Sequence, residues 1–113
     1  MRVKTLMKFQ REMLVANHEH NRSSSPVDFE PVVKLFVCVG GNATWLLTEM
    51  DPETGIAFGL CDLGHGIPEV GYVSIPELQR ELDWRLERDR YFTPTKTLSE
   101  YAAAARSVGH ILA

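Results

Sequence analysis

Residues 31–50 read PVVKLFVCVGGNATWLLTEM, and residues 51–74 continue DPETGIAFGLCDLGHGIPEVGYVS. This stretch decides the fold. Val32 to Val39 is rich in β-branched and aromatic residues, the composition of a strand. Gly40-Gly41-Asn42 supplies a turn that tolerates positive φ. Thr44 to Met50 forms a second predicted strand. Asp51-Pro52-Glu53-Thr54-Gly55 is a turn, because proline presets φ and glycine closes it. Ile56 to Asp62 is a third strand, Leu63 to Glu69 a loop, and Val70 to Ser74 a fourth strand. Strands joined by such short turns pair as an antiparallel meander.

The flanks are helical. Ser74 and Glu77 have capping-box spacing, Pro76 fits the first turn, and Ile75, Leu78 and Leu82 make an apolar stripe. This helix has no clear end. The stretch from Trp84 to Phe92 reads either as its continuation or as an irregular, charged strand. A last helix begins near Thr97 or Ser99, passes through the alanines 102–105 and stops at Gly109. Upstream, Val3, Leu6, Met7, Gln10, Met13, Leu14 and Asn17 share one helical face, so residues 1–17 read as an amphipathic helix. Asn17 to Pro26 then reads as a break. The fold class is therefore α+β: an antiparallel meander of about four strands, with an N-terminal helix, a helix after the last strand and a C-terminal helix. The expected domains are a basic helix and linker over 1–22 and one α+β domain over 23–113. The stripe on the first helix suits packing on the body, or a homodimer contact.

A chain of 113 residues buries one core. No apolar run approaches the ~20 residues of a membrane-spanning helix. The N-terminal region lacks the apolar block of a secretory leader, so the expected location is the cytoplasm. Cys38 and Cys61 lie in strand-like runs and read as two small buried hydrophobes. The net charge is −3. Residues 1–22 hold five basic and two acidic groups, and the remainder holds seven basic and thirteen acidic ones. An acidic body is a poor platform for phosphates and leaves nucleic-acid binding an open, weaker reading. It suits a protein that docks on a basic surface.

Few constellations carry chemistry. Glu49 and Asp51 flank the second turn and Asp62 ends the third strand, a pattern that could offer oxygen ligands to a divalent ion. Acidic residues also favour turns and sheet edges for purely structural reasons. Glu87-Arg88-Asp89-Arg90 is the densest charge run, either a recognition edge with Arg88 as a bidentate anchor or a solvated edge holding an ion pair. His18 and His20, with His65 and Cys61, do not make a zinc-ligand pattern. There is no nucleophile elbow. The glycines around His65 and at 40–41 lack the helix of a phosphate loop. Trp45, Phe58, Tyr72 and Phe92 read mainly as core and sheet-face aromatics, with Trp45 kept as a binding candidate. The candidate binding set is thus Glu49, Asp51, Asp62, Glu87, Arg88, Asp89 and Trp45. No catalytic residue, metal ligand or cofactor is assigned.

An ordered set of residues resembles a family of short uncharacterised proteins of plasmids and integrative conjugative elements, known as a domain of unknown function. It runs through Val33-Lys34-Leu35-Phe36, Thr44-Trp45, Thr48-Glu49, Asp51, Phe58-Gly59-Leu60 and Asp62. It continues in Glu69-Val70-Gly71-Tyr72, Ser74, Glu77-Leu78, Glu87-Arg88-Asp89, Phe92, Pro94 and Leu98-Ser99-Glu100. The resemblance covers roughly residues 31–101 and implies a mobile-element setting without a catalytic mechanism. The leading expectation is a non-enzymatic accessory protein that binds another protein, antagonising a host defence or assisting DNA processing. The alternative is a metal-dependent enzyme acting on nucleic acid through Glu49, Asp51, Asp62 and Asp89.

Overall fold

A computed structural model describes residues 5–113. The start of the expected first helix, with Arg2, Val3 and Lys4, lies outside the described residues. The elements in chain order are α1 (Lys8–Ser23), β1 (Val33–Val37), β2 (Ala43–Met50), β3 (Ile56–Asp62), β4 (Glu69–Ser74), α2 (Ile75–Leu82), β5 (Glu87–Arg88) and α3 (Leu98–Val108). The five strands form one antiparallel sheet in the order β4-β3-β2-β1-β5. The α+β class and the meander hold, with one strand added at the edge.

That addition settles the stretch after α2. Asp83 adopts φ 50°, a left-handed conformation that an α-helix cannot continue. A short 3-10 turn, Asp83–Arg85, follows, then Leu86 plugs the core. Arg88 pairs with Leu35 and Glu87 with Phe36. The charged run is therefore a two-residue edge strand, which keeps its polar groups near water.

Strand alternation assigns the two faces. Val33, Leu35, Trp45, Leu47 and Ala57 point to one side, where they meet Leu14 of α1 and Ile75 of α2. Leu46 and Leu60 point to the other, where Leu98, Tyr101, Ala102 and Ala105 of α3 cover them. The alanines let α3 approach the sheet closely. Thr97 caps α3 by exchanging bonds with Glu100, and Gly109 ends it at φ 83°. Asp28, in the segment leading to β1, accepts from the Ser99 amide and hydroxyl. Slight burial opposes ionisation there, but the bonds from Ser99 and Thr97 prevail and hold the carboxyl below its usual range.

The first helix departs from expectation at its end. The break expected from Asn17 falls at Ser23–Ser24 instead. Asparagine disfavours helices when its side chain competes for nearby backbone. Here those side chains are engaged elsewhere. Asn17 donates to the Thr48 carbonyl at 2.9 Å, and Asn21 bonds Glu49 and both main-chain groups of Val27. Leu14 is fully buried in the same cluster as the strands. Among the described residues, no helix is long and apolar enough to cross a membrane.

Candidate functional site

Register decides where each candidate residue faces. In β2 the pairing with β3 slips between Leu47 and Glu49, so Thr48 is the extra residue of a β-bulge. Without the slip, Glu49 would follow Leu47 onto the face under α1. With it, Glu49 stands opposite Phe58, which in turn stands opposite Tyr72. The Glu49 carboxylate accepts from Asn21 at 3.0 Å, beside the Phe58–Tyr72 ring pair with centroids 5.2 Å apart. His18, Arg22 and Val27 close a shallow cleft around them.

The other carboxylates serve the fold. Asp51 accepts from the Glu53 amide at 2.8 Å and shapes the β2–β3 turn. Asp62 is buried and accepts from Gly64 at 2.9 Å and from Ile111 at 3.0 Å, tying the C-terminal tail to β3. Asp89 faces Lys34, with nitrogen and oxygen 3.4 Å apart, and Lys34 also donates to the Ala113 carbonyl at 2.7 Å. Among the described residues no group of three or more His, Cys, Asp or Glu side chains converges to hold a metal. The carboxylate cluster of the enzyme reading is therefore corrected: Glu49, Asp51, Asp62 and Asp89 have separate partners in separate places. Trp45 is 3% exposed and fills the core between the sheet and α2.

The charged edge meets α1 in a second, larger groove of about 550 Å³. One wall is the start of α1 and its N-cap, with Met7 48%, Phe9 55% and Met13 50% exposed. Val32, Phe92 and Pro94 add apolar surface. The rim carries Arg88 and Arg90. Arg88 donates to the Thr5 carbonyl at 2.8 Å, while Thr5 holds Gln79 of α2 at 2.7 Å. These bonds lock the entry to α1 against the edge strand. Arg90 is exposed and has no hydrogen-bond or ion-pair partner among the described residues. Glu87 is exposed on the other side of the strand, its carboxylate 4.0 Å from the Cys38 sulfur.

Sequence periodicity put Met7 and Met13 on the packing stripe and passed over Phe9. The packed stripe is narrower: Leu6, Gln10 and Leu14 are buried. Phe9 and Met13 stand four residues apart on a neighbouring face, and that i, i+4 pair was the available signal.

The cysteines also need a correction. Cys38 is exposed, because β1 ends at Val37 and the chain turns away toward Gly40. Cys61 is half-buried, and burial, with the neighbouring Glu69 carboxylate second, pushes its thiol up to about 11. Alkylation needs thiolate and access. At pH 7.5 iodoacetamide should label Cys38 at least ~10-fold faster than Cys61, with the gap closing in urea. Mass spectrometry of partially labelled protein reads the order, and equal native rates would refute it.

With this geometry in place, the chain is matched over residues 5–112 by the family described as protein of unknown function (DUF2958). It belongs to that family. No curated protein and no solved structure matches it.

Proposed function

We propose that this protein is a non-enzymatic accessory protein that works by binding another protein, and that the partner seats in the groove between α1 and β5. One observation carries the reading. Phe9 and Met13 of α1, with Met7 just before it, stand half-exposed along one wall of that groove, and Arg90, which has no partner among the described residues, lies on its rim. Flexible methionines and an aromatic anchor suit an amphipathic peptide surface. The arginine rim calls for an acidic side chain on the partner. A mobile-element setting, with antagonism of a host defence or help to DNA processing, is the biological context suggested by the sequence resemblance.

The test uses the full chain as bait in nuclease-treated bacterial lysate, beside Phe9→Ala, Met13→Ala and Arg90→Glu. A stoichiometric partner is expected, identified by mass spectrometry and then measured with purified components. Each alanine change should weaken its binding by about 10- to 30-fold, the range of an interface anchor. Arg90→Glu should weaken it and flatten its salt dependence. A partner indifferent to all three changes would remove the groove from the account. Failure to capture any partner would remove the binding reading itself.

A further inference from the structure

The two edges of the sheet are unlike. At one end β5 has only two residues, flanked by the Lys34–Asp89 pair and the C-terminal residue. At the other end β4 runs for six residues, Glu69–Ser74, and is paired on one side only. Natural edge strands are protected by lysine, proline, bulges or brevity. The middle of β4, Val70-Gly71-Tyr72-Val73, has none of these. Its exposure is also high: Tyr72 is 77% and Val70 36% exposed, and a Cβ placed on Gly71 would meet nothing within 4 Å.

The hydrogen-bond phase of β4 follows from its end. Ile56 pairs with Ser74, so Gly55 stands opposite Ile75, and the Ile75 amide donates to the Gly55 carbonyl at 3.1 Å. In an antiparallel ladder such bonded positions recur at every second residue. The main-chain groups of Glu69, Gly71 and Val73 therefore point to β3. Those of Val70 and Tyr72 point outward, to the open edge.

From this we propose that β4 pairs with the β4 of a second copy of the chain, antiparallel about a two-fold axis at Gly71, joining two sheets into one. In that register Val70 lies opposite the second copy's Tyr72, and Tyr72 opposite its Val70. Both pairs exchange their outward main-chain bonds, and both put an aromatic beside a β-branched side chain on the α3 face, a favourable cross-strand pair. Charge selects this register over its neighbours. Glu69 lies opposite the second copy's Val73, which separates the two Glu69 carboxylates by about 13 Å along the strand. Centring on Val70 would halve that separation and set like charges near each other. Centring on Tyr72 would place Glu69 against Ile75, where α2 begins and the strand ends. Tyr72 brings on the order of 150 Å² to bury from each copy. With Val70 and the main chain, the interface falls near or below the low end of the ~1,200–2,000 Å² of specific complexes. A contact of that size makes a weak, reversible dimer, to be sought at micromolar concentration and above.

Sedimentation equilibrium of the full chain, from low to high micromolar concentration, tests the pairing. The weight-average mass should rise from 12.8 kDa toward twice that value. The Val70 and Tyr72 amides should exchange more slowly with deuterium as concentration rises. Val70→Pro removes an outward donor at a site where an edge strand tolerates proline, and Tyr72→Lys adds like charges across the axis. Each should raise the dissociation constant at least ~10-fold while circular dichroism and the melting midpoint show the variant folded. A mass fixed at 12.8 kDa throughout overturns the proposal. So does a dimer that survives both folded variants. If Met13→Lys alone dissolved such a dimer, the contact would lie at the α1 groove instead, again against β4 pairing.

Discussion

Leu14→Ala should destabilise the protein by about 3 kcal/mol, within the range for truncating a fully buried leucine. Leu14 has no exposed surface and sits on the sheet among Val33, Leu35, Trp45 and Leu47. The neighbours that would have to collapse into the vacated space are strand residues fixed by the ladder, so relaxation is small. A domain of this size has about 5–15 kcal/mol in total. The loss should therefore lower the melting midpoint by more than ~10 °C. Urea unfolding followed by tryptophan fluorescence is a suitable readout, since Trp45 lies in the same cluster. One cooperative transition moving to lower urea is expected. A change below ~1 kcal/mol, or a separate early transition for the helix, would mean that α1 packs loosely and does not share the core. Met13→Ala supplies the contrast. Met13 is half-exposed on the groove side, so its loss should shift stability by only about 0.5 kcal/mol. Comparing the two separates the packing face of α1 from the face offered to a partner.

The meander was legible because its signals are local. β3 begins and ends at the residues its composition indicates, and β2 and β4 each start one residue earlier than expected. Turn chemistry at Gly40-Gly41-Asn42 and Asp51–Gly55, and the Ser74 cap, needed nothing from elsewhere in the chain. The errors share a different cause. Asn17 and Asn21 stay helical because Thr48, Glu49 and Val27 occupy their side chains, and Thr48 and Glu49 are distant in sequence. The two-residue β5 exists only because β1 is there to pair with it. The bulge at Thr48 leaves no mark in the hydrophobic pattern, yet it turns Glu49 from the α1 face of the sheet to the α3 face. Of the candidate site residues, Arg88 and Asp89 were singled out by the charged run itself and line the groove, but the groove and its apolar wall depend on how α1 docks. Periodicity locates a helix face; which part of it stays open is a property of the whole fold.

Gly59→Ala and Gly71→Ala should move stability in opposite directions, although the two glycines are direct cross-strand partners in β3 and β4. A glycine inside a strand ordinarily costs about 0.5–1 kcal/mol relative to alanine, through the freedom it loses on folding. Gly71 should return that amount when replaced, because a Cβ there enters open space. Gly59 is different. A Cβ on it would press on the Leu46 carbonyl oxygen and come within 2.8 Å of the Leu47 Cα. Both are backbone atoms, so no side chain can swing aside. The obstruction sits just before the bulge, where β2 bends across β3. Accommodating a methyl group there means parting β2 from β3 at the centre of the sheet. We expect a cost of about 3 kcal/mol, the upper part of the overpacking range. Urea titrations at low micromolar protein, where self-association of β4 is suppressed, give both values. Equal effects at the two sites would show that β2 and β3 leave room for a methyl group between them. A large loss confined to Gly59 would show that the two strands meet too closely there for any side chain, one residue before the bulge that turns Glu49 to the α3 face.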